Sequence, residues 1–334
     1  MKRLYASLAV LGLLLAGCGA PSHASTARAA MRHSSLVLDW LPNSDHGGIY
    51  TAIRRGYFRR RHVILSPQVP SSSTAQIALV AAGRADFGIS YETDVLEARS
   101  RHIPVRSLMC IMQHPLDTVM SLTSSHIRRP RDLAGKSVGM AGAPSDEPIV
   151  RAMMTHDHAS FSAAKMVNVG YNLLPALLAG KVDAVVGVYW TWEAIQARLR
   201  GYPVNVMRVE HWGVPNYCEL VLISSDKLLR TKSNLVRSTV QALQQGYAYA
   251  AHHPVYAWQA LHAADKALQR RLVLRSLRLV GPIETAARTV GYQNPAQWRH
   301  YAAWLYRNHL IPHQVNVSQA FTNRFLAGSV ASSQ

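Results

Sequence analysis

The stretch that decides the fold is Leu36-Val37-Leu38-Asp39-Trp40-Leu41-Pro42-Asn43, continued by His46-Gly47-Gly48-Ile49-Tyr50 and closed by Val63-Ile64-Leu65. Its aliphatic opening predicts a strand, Gly47 to Arg55 a helix, and Val63 to Val69 a second strand. A strand–helix–strand order of this length predicts a parallel pair joined by a crossover. The same alternation runs outward from it. Ser73-Thr74 offers an N-cap for a helix through Ala82 that Gly83 stops. Phe87 to Ser90 is strand-like, Thr93 to Ser100 helical, and Val105 to Met112 a buried strand.

A second block repeats the alternation. Strands are predicted at Lys136–Met140, Met166–Val169, Ala184–Val188 and Val204–Val209, with helices at Glu147–Met154, Leu173–Ala179 and Trp192–Leu199 between them. From Lys227 the pattern is mostly helical, with Leu235 to Ala251 the clearest amphipathic run. Two extended segments, Thr118–Thr123 and Cys218–Ser224, separate the blocks and read as crossing strands. The expectation is an α/β protein of two lobes, one from residues 34–118 and 220–330, the other from 119–219. In open α/β sheets ligands sit at the carboxyl ends of strands, so the lobes should face each other across a cleft that closes by a hinge.

Composition bounds the chemistry. The 334 residues carry 36 Lys+Arg against 18 Asp+Glu, a formal charge of +18, and only three cysteines. The cysteine count excludes a disulfide framework and a four-thiolate zinc site. Lys2 and Arg3 precede an apolar run, Leu4 to Ala16, that is shorter than the ~20 residues a spanning helix needs. Residues 1–17 therefore read as a secretory leader. Leu15-Ala16-Gly17-Cys18 resembles a bacterial lipobox, with Cys18 the lipidated residue and residues 18–33 a Ser/Ala/Pro-rich tether. Losing Lys2 and Arg3 with the leader lowers the charge to +16. The protein is expected outside the cytoplasm, anchored by lipid to the outer face of the cell membrane. Cys110 reads as a small core hydrophobe, and spacing leaves its pairing with Cys218 open.

The opening stretch, with Gly56-Tyr57-Phe58 after it, resembles the thiamine-pyrimidine-precursor-binding proteins of bacterial ABC importers, relatives of the sulfonate- and nitrate-binding proteins. Gly83-Arg84-Ala85-Asp86-Phe87-Gly88-Ile89-Ser90-Tyr91, Asp132 to Gly139, Leu178 to Ala184 and Val214 to Leu220 carry the likeness onward, over roughly residues 34–310. The resemblance implies a two-lobed periplasmic-binding-protein-like fold (type II). It implies a small heteroaromatic solute as ligand and an ABC permease with its ATPase as partners. A monomer without cofactor or metal is expected. Flavin-precursor binders share much of the pattern and are the alternative, with sulfonate, nitrate or taurine binders third.

A flat aminopyrimidine needs aromatic walls and fixed polar groups. Trp40, Tyr189 and Trp190 follow strand ends, Asn43 can donate and accept, and Tyr91 and Tyr217 lie in the family-like motifs. Each of these rings reads alternatively as packing, Trp192 more readily than the others. Glu219 and Glu193 are the first candidates to accept from an exocyclic amine, Glu92 and Glu147 the second. Asp39 could orient Asn43 or Trp40, and His46 either touches ligand or caps the helix.

Other classes fare worse. Pyrimidine synthases of this fold use a Lys and a His where this chain has Ser90 and Asp94, and Cys218 is all that remains of their cysteine tract. Without the amine no Schiff base forms, so no enzyme is expected. His156-Asp157-His158 offers two imidazoles and no third ligand. Arg54, Arg55, Arg59, Arg60 and Arg61 form a basic run without the aromatic motif of a nucleic-acid reader, and no nucleic acid is expected. The excess charge reads as an outer surface suited to anionic lipid, or as the mark of an acidic environment.

Overall fold

A computed structural model describes residues 30–72 and 75–328. The described residues from Met31 onward form one compact unit. The leader, Cys18, most of the tether and the Ser73-Thr74 cap lie outside the described residues.

The first sheet grows from the opening stretch. β1 (Arg32–Val37) leads through α1 (Gly47–Arg54) to β2 (Val63–Gln68), and α2 (Ala75–Ala81) leads to β3 (Phe87–Ser90). Next come α3 (Glu92–Ser100) and β4 (Val105–Cys110). β5 (Asp117–Leu122) opens the second sheet, followed by β6 (Ser137–Met140), α4 (Asp146–His156) and β7 (Lys165–Asn168). It continues with α5 (Leu173–Leu178), β8 (Ala184–Tyr189), α6 (Glu193–Leu199) and β9 (Val204–Arg208). The chain then returns as β10 (Val221–Ser225) and ends in helices: α7 (Asp226–Thr231), α8 (Ser233–His252), α9 (Pro254–Ala264), α10 (Arg270–Glu284), α11 (Pro295–Arg307) and α12 (Val317–Ala320).

Among the described residues the strands form two five-stranded sheets, ordered β2-β1-β3-β10-β4 and β7-β6-β8-β5-β9. β1 pairs in parallel with β2 and β3, and β6 with β7 and β8. The two strands that follow crossings differ: β10 runs antiparallel to β3 and β4, and β5 antiparallel to β8 and β9. The sheets are thus mixed, where the alternation predicted parallel ones. The reason is direction of approach. The other strands end at the interlobe cleft, whereas β5 and β10 come from the opposite lobe and start there.

Gly48 of the signature and Gly246 of α8 set the first lobe's packing. A Cβ on Gly246 would lie 2.2 Å from the Gly48 carbonyl oxygen, and one on Gly48 would lie 2.3 Å from the Tyr247 ring. Helices α1 and α8 cross that closely only because neither residue has a side chain. Leu36, Leu38, Ile49, Val240 and Leu243 pack around the crossing with no exposed surface.

Cys110 is not a lone core hydrophobe. It forms a disulfide with Cys218, joining residues 108 apart at the end of β4 and the approach to β10. The strand order brings the two segments together, since Cys110 pairs with Val221. Such a bond suits an oxidising compartment. A chain beginning at Met31 contains both sheets and only these two cysteines, and thiol titration in denaturant should find none free. Replacing both by Ala should lower the unfolding free energy in urea by about 2–5 kcal/mol.

Candidate functional site

The strand ends and the two crossing segments enclose one cleft, lined by Asp39, Trp40 and Asn43 after β1, by Tyr91 and Thr93 around the start of α3, and by Tyr217 and Glu219 before β10. The strands of the second sheet and the loops after them supply Asp117, Ala141, Ala143, Ser145, Asp146, Ile149, Gly187, Tyr189 and Glu193. The space held between the walls is about 60 Å³. That is far below the ~300–1,000 Å³ of open ligand pockets, so the lobes stand nearly closed.

Asp39 is fixed from two sides. Its Oδ1 lies 2.8 Å from His46 Nε2, and its Oδ2 accepts from the Tyr91 hydroxyl at 3.4 Å. The Asn43 amide donates to His46 Nδ1 at 3.2 Å, which leaves that nitrogen unprotonated and makes Nε2–H the donor to Asp39. Asn43 in turn caps the following turn, its Oδ1 accepting from the Asp45 amide at 2.8 Å. Trp40 meets Tyr171 of the second lobe edge to face, with ring centroids 4.0 Å apart.

Across the cleft, Glu219 Oε2 accepts from the Leu116 amide at 2.8 Å, the Asp117 amide at 3.1 Å and the Tyr217 hydroxyl at 3.1 Å. Its Oε1 accepts from the Tyr189 hydroxyl at 3.4 Å. Asp117 accepts from the Gly187 amide at 3.1 Å. Gly187 has φ +80°, and a Cβ there would come within 3.2 Å of Asp146 Oδ1. Asp146 Oδ2 accepts from the Gly142 and Ala143 amides at 3.0 and 2.9 Å, and Glu193 Oε2 from the Tyr189 amide at 2.8 Å.

Five carboxyl groups therefore line the cleft, and among the described residues no Lys, Arg or His does, in a chain of charge +18. For Asp117, Asp146, Glu193 and Glu219, burial without a cation disfavours the charged form. Loss of water pushes Glu193 up to about 7 and Asp146 to about 6. It also raises Asp117 and Glu219, and the Glu219 charge lifts Asp117 further. Near neutral pH such groups can donate as well as accept.

Of the expected site residues, Trp40, Asn43, Tyr91, Tyr189, Glu193, Tyr217 and Glu219 come together on the lining. Four do not. His46 is fully buried behind Asp39 and acts through it. Glu92 is fully buried away from the lining, where its Oε2 accepts from the Cys218 amide at 2.7 Å and burial pushes it up to about 8. Glu147 is exposed on α4, because a one-residue step turns a helix by ~100°, and its neighbour Asp146 takes the cleft. Trp190 sits beside the lining with Arg208 stacked 4.0 Å over its ring, its Nε1–H donating to the Pro115 carbonyl at 3.4 Å. Trp192 packs into the first lobe's core. Sequence reasoning missed Asp117, Asp146 and Gly187, and the signal for Asp146 was the Gly142–Asp146 turn that follows β6.

Residues 43–257 match the NMT1/THI5-like family. The chain belongs to that family. It is 29% identical to the formylaminopyrimidine-binding protein of Halalkalibacterium halodurans over 95% of this chain and 97% of that protein. It is also 24% identical to the 4-amino-5-hydroxymethyl-2-methylpyrimidine phosphate synthase of Legionella pneumophila, over 87% of this chain and 92% of that protein. Among solved structures it resembles the alkanesulfonate-binding protein SsuA from Xanthomonas axonopodis pv. citri bound to MOPS. The TM-score is 0.68 and the identity 15%, over 88% of this chain and 99% of that one. The fold is the two-lobed periplasmic-binding-protein fold.

The raised carboxyls link stability to pH. The folded chain holds protons on Glu92, Asp94, Asp146 and Glu193 between their ordinary range near 4 and about 6–8, where the unfolded chain has released them. Their contribution is complete below the ordinary range and is lost as pH rises through those values. Asp157 runs the other way: hydrogen bonds from Arg129 hold it near 2, so its contribution is lost as pH falls from about 4 toward 2. The urea midpoint should therefore rise from pH 8 to pH 5, and a midpoint that falls over that interval contradicts the assignment.

Proposed function

We propose that this chain is the extracytoplasmic solute-binding lipoprotein of an ABC importer, and that it captures a thiamine-precursor aminopyrimidine for its permease. The observation that carries the reading is the cleft's makeup: carboxyl groups and aromatic rings, with no cation among the described lining residues. In a 4-aminopyrimidine the exocyclic amine donates beside a ring nitrogen that accepts. A carboxyl group poised near neutrality answers both, its carbonyl oxygen taking the amine and its O–H meeting the ring nitrogen. Glu193 and Asp146 each keep one oxygen for this, while Glu219 holds the floor together. Trp40 and Tyr189 supply the ring contacts. An anionic sulfonate would meet carboxyl groups and no positive charge, and the narrow space suits one ring better than the three of a flavin.

The same reading covers the rest of the molecule. The lobes divide as residues 34–118 with 220–330, and 119–219. The chain works as a monomer, is exported by residues 1–17, and is held at the outer face of the membrane through lipid on Cys18. It catalyses no reaction. Where a synthase needs an amine, the Ser90 hydroxyl donates to Asp94 at 3.2 Å instead.

Calorimetric titration with 4-amino-5-hydroxymethyl-2-methylpyrimidine, its formylaminomethyl counterpart, riboflavin and taurine tests the ligand. Heat is expected from a pyrimidine alone, and riboflavin binding without pyrimidine heat would overturn the choice. Glu193→Ala should weaken binding roughly 10–100-fold through loss of this hydrogen-bonded pair, whereas Glu193→Gln, whose amide offers the same acceptor and donor, should stay within about threefold. Mass spectrometry of the membrane-extracted protein should find diacylglycerol on Cys18 at the mature N-terminus.

A further inference from the structure

The basic run that the function does not use lies at one place in the fold. Strand β1 starts at Arg32, which pairs with Val63 at the start of β2, and the Arg32 guanidinium donates to the Arg61 carbonyl at 2.8 Å. Both strands run from there toward the cleft, so Arg59, Arg60 and Arg61 stand at the opposite end of the first lobe. The C-terminal end of α1 brings Arg54 and Arg55 to the same end. Residues 54–62 and 245–256 contain no Asp or Glu. Arg54, Arg55, Arg59 and Arg60 are exposed, and among the described residues none of the five arginines forms an ion pair.

Tyrosines hold several of these charges. Arg54 lies 4.6 Å over Tyr256, Arg55 lies 4.3 Å over Tyr249, and Arg60 lies 4.8 Å over Tyr57. Between Tyr57, Tyr249 and His253 runs an open groove of about 840 Å³. Guanidinium groups paired with amphipathic rings match the phosphate and glycerol layers of a bilayer. The chain enters the fold beside this patch, since the Arg32 amide donates to the His62 carbonyl at 2.9 Å.

We propose that this arginine–tyrosine face docks the folded unit on an anionic lipid bilayer. A single lipid attachment holds a protein better when a basic patch adds to it. Docked this way, the first lobe's base meets the headgroups and the cleft faces away from them, open to solute. Delivery to a permease then requires release of this face. The place of the tether rests on the lipid-anchor reading, whereas the surface chemistry does not.

The test uses the lipid-free chain from Met31, which carries both sheets, in co-sedimentation with vesicles at about 0.1 M salt, where screening acts over ~10 Å. It should bind phosphatidylglycerol vesicles and not phosphatidylcholine vesicles. The triple variant Arg55→Glu, Arg59→Glu, Arg60→Glu should lose at least roughly 100-fold in vesicle affinity. A charge-matched variant of exposed second-lobe residues, Arg128→Glu, Arg198→Glu, Arg200→Glu, should stay within about threefold, and both should keep pyrimidine binding as proof of folding. No binding of the unmodified chain to anionic vesicles overturns the proposal. So does an equal loss in the two variants, which would make net charge the cause. Either failure with intact pyrimidine binding leaves the proposed function standing.

Discussion

The carboxyl group of Glu219 takes hydrogen bonds from Leu116 and Asp117 in one crossing segment, from Tyr217 in the other, and from Tyr189 at the end of β8. Backbone bonds tie the same segments: Ile111 donates to the Leu220 carbonyl and Glu219 to the Met112 carbonyl, at 2.7 and 3.0 Å. One residue back, Cys218 closes the disulfide to Cys110. The floor of the cleft and the connection between lobes are therefore one piece of structure. Deleting the carboxyl would leave buried amides without an acceptor, at about 1–3 kcal/mol each.

The charge of the chain looks different once its 18 acids are located. Asp39, Asp117, Asp146, Glu193 and Glu219 line the cleft, and Asp45, Glu92, Asp94 and Glu284 are buried elsewhere. Burial raises Asp45 and Glu284 well above the usual carboxyl range, and the charge of Asp45 lifts Glu284 further. Half of the acids are thus taken out of the surface balance, and the outside is more basic than +18 implies. Acidic surroundings protonate Asp45, Glu92, Asp94, Asp117, Asp146, Glu193, Glu219 and Glu284 without breaking an ion pair among the described residues. Mutual repulsion of the outer arginines remains the cost, and an anionic surface would relieve it.

Sequence reading found the elements because hydrophobic period and glycine stops are local properties. It found Trp40, Tyr189 and Glu193 because each follows a strand end, which the topology aims at the cleft. It failed where the answer depended on a neighbour in space. Asp117 enters the cleft because β5 is antiparallel, and nothing in its own run reveals that direction. Asp146 and Glu147 differ by one step of a helix whose rotation is set by packing of Ile149, Val150 and Met153. Cys110 and Cys218 meet through strand order. His62, His102, His126, His158 and His309 all take positive φ, where glycine or asparagine is the usual signal.

The contact between Trp40 and Tyr171 limits how a ligand enters. The two rings belong to different lobes and touch across the cleft, beside about 60 Å³ of free space. A space this small beside the ~300–1,000 Å³ of open ligand pockets favours entry with the walls apart. Under the proposed function, binding parts Trp40 from Tyr171 and closure then seats the ring against Trp40. An edge-to-face aromatic contact is worth only ~0.5–1.5 kcal/mol beyond burial, so a stacked heteroaromatic ring can replace it with little penalty. Under the proposed function, the carboxyl groups decide which ring. On the same reading, Asp146 and Glu193 sit on the second lobe's wall, so their hydrogen bonds to the ring form only when that wall closes. Recognition of the amine and closure of the lobes are then the same event.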